Sequence, residues 1–346
     1  MNLGIIKISF SMMVFFSAVS YGSEKSFAPE EWEYHKEYGA AIAEELSAYF
    51  DNENPPYHSL ERRNALYLAD ALTHYPSPHD DGLKDFFLGR YRKAIDDIKK
   101  TEIQTGAVIW NVYNMVYVVK TKEITVAFDL TRLPPSLRVE PDDGRYEKMA
   151  KEMVGLCDVL FVSHIHGDHA DEFVAGEFIK QNKPVVAPVG VFKQNDFYSK
   201  VLHLSADGAK KNLLVPGRDA ELVLRIYPGH QQVSATGTVD NNFTVVTLPG
   251  TITVAHSGDQ CWAPDFEWID TVHNDIAIDV LMVNTWTLWP DRLLDGLRPK
   301  LTFPGHVNEM NHDIGGRIPF WKSYRFWQNG NSDVVHLFWG EPYRLE

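Results

Sequence analysis

Residues 163–169 read Ser-His-Ile-His-Gly-Asp-His and follow the apolar run Val159-Leu-Phe-Val162. Four side chains able to bind a metal fall within six positions. A bare His-x-His would mean little in a chain with 14 histidines, but His164, His166, Asp168 and His169 together form a set. In extended backbone, positions i and i+2 point the same way, so His164 and His166 address one ion. Gly167 lets the chain turn, swinging Asp168 and His169 towards a second ion. Three further donors lie downstream: His230 in Tyr-Pro-Gly-His after 221–227, Asp259 in His-Ser-Gly-Asp after 251–255, and His306 in Pro-Gly-His after Leu301-Thr-Phe. Each follows a strand-like run and a glycine, the arrangement in which loops at strand ends build a site on a rigid frame.

The order His-x-His-x-Asp-His, Gly-His, Gly-Asp, Gly-His resembles the metallo-β-lactamase-fold metallohydrolases over residues 105–340. Asp129, in Ala-Phe-Asp-Leu, matches the early aspartate of that superfamily, which supports the ligands. The stretch 243–254 leading into Gly-Asp is similar to the branch containing ascorbate-6-phosphate lactonase and N-acyl-phosphatidylethanolamine phospholipase D. The resemblance implies that His164, His166 and His230 hold one ion, that Asp168, His169 and His306 hold the other, and that Asp259 bridges them. The expected ions are two divalent metals, zinc by donor chemistry, with manganese or iron as alternatives. The implied reaction is attack of a metal-activated hydroxide on an ester-like bond, lactone or phosphodiester, with Asp168 orienting the water. Asp129 is expected to accept from a ligand imidazole. His256 is expected as a packed histidine beside the ligands. Tyr113, Asn308 and His312 are the expected substrate contacts, with Glu309 in the same polar loop and Trp286 and Trp289 as candidates for an apolar wall.

Other activities fit the residues less well. Asp259 stands where some β-lactamases of this fold carry cysteine. His166 stands where flavodiiron proteins carry glutamate. A mono-iron persulfide dioxygenase would not need the second ligand set, and a non-catalytic relative would be expected to have lost ligands.

The elements that position these residues begin with the chain as a whole. At 346 residues it holds one large α/β domain and an extension. Residues 1–22 resemble a secretory signal: Lys7, an apolar stretch to Val19, then small residues. The stretch is short for a membrane span, so periplasmic or secreted export without stable membrane insertion is expected. Cleavage would remove one lysine and no acid, moving the formal charge from −14 to −15. That balance disfavours nucleic acid and leaves a small molecule as the expected substrate. At ~3.3 Å per strand residue Cys157 stands about 20 Å from the site, whereas Cys261 follows Asp259 closely, so two free thiols are expected.

Residues 23–104 carry helical spacing, with helices expected at 28–50, 60–73 and 83–99 as an extension packed on the main domain. From 105 to 346 strands and helices alternate. Strands are expected at 107–119, 124–128, 185–188, 221–227, 243–248, 251–256, 279–283 and 334–338, and helices at 147–154, 171–181, 290–296 and 317–328. This predicts a four-layer αββα sandwich of metallo-β-lactamase type with an N-terminal helical extension.

Overall fold

The computed structural model describes residues 29–51, 56–73, 81–138, 142–312, 314–327 and 332–346. The expected signal segment, residues 1–22, lies outside them. Among the described residues, no helix is long and apolar enough to cross a membrane.

Three helices come first: α1 (Pro29–Phe50), α2 (Leu60–Thr73) and α3 (Asp81–Lys100). Then follow β1 (Ala107–Tyr113), β2 (Val116–Lys120), β3 (Thr125–Phe128), α4 (Arg145–Leu156), β4 (Val159–Phe161), α5 (Glu172–Lys180) and β5 (Val185–Val186). The second half holds β6 (Lys211–Leu214), β7 (Glu221–Gln232), β8 (Thr238–Thr247), β9 (Thr253–His256), α6 (Phe266–Ile269), β10 (Val280–Asn284), α7 (Pro290–Leu297), β11 (Leu301–Gly305), α8 (Phe320–Phe326), β12 (Asp333–Val334) and β13 (Glu341–Leu345).

The strands form two sheets, β13-β1-β2-β3-β4-β5 and β12-β11-β10-β9-β8-β7-β6. Alternation along β1 sends Val108, Trp110 and Val112 towards the helices, while Ile109 meets the other sheet. With both faces covered, β1 and β2 read as near-continuous apolar runs, interrupted in β1 by Asn111. Leu222, Leu224 and Ile226 of β7 join Phe128, Phe161 and Phe303 between the sheets. Helices α1 to α5 cover the outer face of the first sheet, and α6 and α7 cover that of the second. The expected αββα sandwich is the observed fold, and α1–α3 share one core with the first sheet.

Several boundaries differ from the sequence reading. The strand expected at 107–119 is a hairpin, folded at Asn114 with φ of 53°. Asparagine tolerates the left-handed region that a two-residue turn demands. Pro228-Gly229 does not end β7, which pairs with β8 through Gln232. The edge strand β6 covers only Glu221–Leu224, so Pro228 falls where one edge of β7 is open. The strand expected at 334–338 shrinks to two residues, because the chain crosses between layers: Val335 and Leu337 pack between the sheets, and Phe338 and Trp339 among the helices. It then returns as β13, paired with β1. Pro342 and the charges flanking it hid that edge strand from sequence reading.

Buried polar contacts tie the N-terminal helices to the rest. The Arg62 guanidinium, fully buried, donates to both carboxylate oxygens of Glu341 (2.7 and 2.5 Å) and to the His336 carbonyl (2.5 Å). Arg90 donates to the Trp339 carbonyl (2.8 Å) and to Asp51 (2.8 Å). Asp70 of α2 accepts from Asn308 Nδ2 (2.8 Å) and from the Phe320 and Trp321 amides (2.6 and 3.0 Å). Burial pushes its carboxyl up to about 6. Both cysteines are buried and free, as expected, and burial raises each thiol to about 12.

Candidate metal centre

Strands β3, β4 and β5 run parallel in one sheet, and β9 to β12 in the other. The loops leaving β3, β4, β9 and β11 carry Asp129, His164–His169, Asp259 and His306 respectively. A site at the C-terminal ends of parallel strands is the usual outcome of such a sheet.

Asp129, fully buried and left-handed at φ 48°, organises the β4 loop. It accepts from the Ser163 amide and hydroxyl (2.6 Å each) and from His169 Nδ1 (2.7 Å). With Nδ1 held, His169 turns Nε2 inward, the tautomer control that a ligating imidazole needs. Ser163 Oγ lies 3.0 Å from His164 Nδ1, so His164 also turns Nε2 inward, to 3.0 Å from His166 Nδ1. His306 has φ of 57°, and its amide donates to the Asn114 carbonyl (3.3 Å). Gly258 sits at φ 52° against Asn241 and Ser163, where any Cβ would overlap their side chains. That close approach sets the backbone of Asp259, whose amide donates to Asn241 Oδ1 (2.9 Å).

Two groups of donors result. In the first, ligand atoms of His164, His166 and Asp259 lie within 4.8 Å of one another; in the second, those of Asp168, His169 and His306 do. Asp259 joins them: its Oδ2 is 3.6 Å from His164 Nε2 and 3.4 Å from His169 Nε2, and its Oδ1 is 3.5 Å from His306 Nε2. His169 Nε2, His306 Nε2 and Asp259 Oδ1 are buried and lack a hydrogen-bond partner. The nearest carboxylates, at 3.2–3.5 Å, have no hydrogen-bond geometry to these imidazole nitrogens. Buried polar atoms seldom go unpaired, and several converging on one point fit bound cations.

The electrostatics agree. Burial opposes charge on His169 and His306, but the carboxylates around them outweigh it: His169 is raised well above the usual imidazole value, and His306 is pushed up to about 10. Burial drives His164 down to about 3. Burial likewise opposes ionisation of Asp168 and Asp259, yet the imidazoles hold both well below the usual carboxylate range. The metal-free cluster therefore holds protons where cations would sit. Below its raised pKa, each of His169 and His306 must lose a proton to become a ligand, while His164 is already neutral. Metal binding at the second group is thus expected to release roughly two protons at pH 7 and to tighten as pH rises from 7 towards 10. Calorimetric metal titration in buffers of differing ionisation enthalpy measures this, and zero proton release would overturn the assignment.

The other expected residues divide. His230 stays outside both groups: it lies within β7, not in a loop after it, with its Nδ1 2.7 Å from Asp265 Oδ1 and its ring 4.7 Å from that of Trp262. Asn308, expected to meet substrate, faces the interior instead. It is fully buried, and its amide is spent on Asp70. Tyr113 lines a cavity beside Asp168 and bonds Glu309 (3.3 Å) and the Met310 amide (2.8 Å). His312 is half exposed, with its ring stacked 5.5 Å from His306. His256 is packed as expected, bonded to the Met115 carbonyl (2.9 Å) and 3.9 Å from Asp129. Trp286 stands against His306 at 5.4 Å, whereas Trp289 packs on Phe266 in the outer helical layer, away from the site.

Sequence reading missed three supports. Asn114 Nδ2 donates to Asp168 Oδ2 (3.1 Å), Gln231 Nε2 donates to Asp259 Oδ2 (2.9 Å), and Asp265 holds His230. Only Asn114 left a signal, as the break in an apolar run. Replacing Asp265 with asparagine removes the acceptor that fixes His230 and is expected to weaken metal affinity 10–100-fold. A competitive chelator titration reads this, and unchanged affinity would mean that His230 takes no part.

No protein-family model and no curated protein sequence matches the chain. Solved structures do. A novel metallo hydrolase from the archaeon Ignicoccus hospitalis aligns with a TM-score of 0.51 at 16% identity, over 70% of this chain and 99% of its own. A possible metal-dependent hydrolase from Veillonella parvula aligns at 0.50 and 16%, over 70% of this chain and 100% of its own. Identity at that level establishes the fold alone. The chain shares the fold of these two proteins, and its described residues include two groups of donors that could each hold a metal ion.

Proposed function

We propose that this protein is a two-metal hydrolase, with zinc as the expected metal, acting on an ester-like bond of lactone or phosphodiester type. The observation that carries the reading is the meeting of two donor groups on Asp259, with three buried ligand atoms left unpartnered. His164, His166 and Asp259 would hold one cation, with His230 completing the set, and Asp168, His169 and His306 would hold the other. Bound divalent ions supply acidified water and polarise a substrate oxygen.

The chain's own residues set the geometry. Asn114 donates to Asp168 Oδ2, the oxygen 3.2 Å from His169 Nε2 and 3.5 Å from His306 Nε2, and Asp168 would orient the attacking water. Asp129 and Asp265 fix the tautomers of His169 and His230, so that each presents Nε2. Trp262 and Trp286 flank the centre and restrict the approach of bulk water. Tyr113, on the cavity beside Asp168, and His312, stacked on His306, would contact the substrate. Export to the periplasm or beyond is part of the proposal and rests on residues 1–22.

The test is hydrolysis of a panel of lactones, carboxylic esters and phosphodiesters by purified protein before and after chelation. Turnover that chelation abolishes and added zinc restores is the expected result. Turnover indifferent to chelation would reject the reading. The intact second group disfavours a mono-iron dioxygenase.

A further inference from the structure

A cavity of about 300 Å³ opens at Asp168 of the candidate metal centre, and Tyr113, Glu309, Arg132 and Arg138 also line it. Its acids are already engaged. Asp171 caps α5 through Oδ1 and accepts from the Arg132 amide and Nε through Oδ2. Glu309 accepts from Tyr113 and from the His312 amide. Glu172 accepts from Asn195.

The two arginines differ. Arg132 pairs with Asp171 (2.9 Å) and approaches Glu147 (3.6 Å). Arg138 donates Nε to the Leu133 carbonyl (2.8 Å) and lies over the Tyr146 ring (5.6 Å). Among the described residues it pairs with no carboxylate. Two part-buried guanidinium groups thus line one cavity, and one of them forms no ion pair among the described residues, an arrangement that leaves donors for an anion between them. Partial burial and the neighbouring Arg132 lower its pKa, against the opposing pull of the Asp171 and Asp142 carboxylates.

We infer that this cavity is an anion subsite: the substrate carries, away from the bond that breaks, a carboxylate or phosphate that docks on Arg138 and Arg132. The reacting end rests on the hydrolase reading; the anionic end does not. A guanidinium presents paired donors to two oxygens of such a group, and Pro134 and Pro135 stiffen the wall that carries it.

The probe is a series of α,ω-dicarboxylates from malonate to suberate, set against the matching monocarboxylates. Binding to metal-loaded full-length protein and its R138Q variant is followed by calorimetry. The wild-type chain is expected to prefer one dicarboxylate length by roughly tenfold or more over its monocarboxylate. R138Q is expected to lose that preference while keeping monocarboxylate affinity, and R138K to retain part of it. A wild type indifferent to the second carboxylate, or an R138Q variant with an unchanged length profile, would overturn the proposal. Metal content of the same samples reads the other proposal separately. A chain without metal whose dianion affinity still falls in R138Q keeps the anion subsite and loses the hydrolase.

Discussion

Replacing Asp259 with asparagine is expected to empty both metal positions and to lower kcat at least about 10³-fold. The carboxylate reaches both donor sets, 3.4–3.6 Å from His164, His169 and His306. Asparagine keeps the shape and the amide bond to Asn241 but removes the negative charge that faces three buried imidazoles. Loss of a Lewis acid forfeits several kcal/mol of transition-state stabilisation, and each 1.4 kcal/mol is a factor of ten. Elemental analysis and single-substrate kinetics on the variant test this. A variant that keeps two ions and near wild-type turnover would show that Asp259 is only a scaffold residue.

The second large effect falls on stability. Glu341→Gln is expected to cost about 3–5 kcal/mol, because it leaves the Arg62 guanidinium buried without a counter-charge. Arg62 cannot escape to water. It is enclosed by the rings of Phe50 and Tyr57 at 5.3 and 5.0 Å, and by the His336 carbonyl. The pair clamps α2 to the start of β13, so its loss loosens the packing of the N-terminal helices on the first sheet. Denaturant unfolding monitored by fluorescence reads the shift. A change below about 1 kcal/mol would mean that the clamp is no stronger than a surface ion pair. The effect reaches the site as well, since α2 also carries Asp70, which holds Asn308 two residues beyond His306.

That link shows what a sequence can and cannot convey. The candidate donors are legible because metal binding demands rare residue types, and these follow apolar runs with a glycine between. The three helices and most strands followed from periodicity and punctuation. The partners that aim the ligands were not legible. Asp70 and Asn308 are separated by 238 positions, and nothing local marks either. Asp265 carries no local mark either, yet it grips His230 through both ring and backbone. Asn308 looked available to substrate because its loop is polar, but tertiary burial spends its amide inside the protein. His230 was misplaced because Pro-Gly reads as a turn, while an open strand edge tolerates proline. Arg138 gave no local signal, since its significance lies in the acids around it being engaged elsewhere.

The most direct test of the central claim is metal content per chain of protein purified without chelator or added metal. Two divalent ions per chain, zinc foremost, is the result that the paired donor groups require. One ion, or none after reconstitution with excess zinc, would contradict a two-metal centre and the hydrolase built on it.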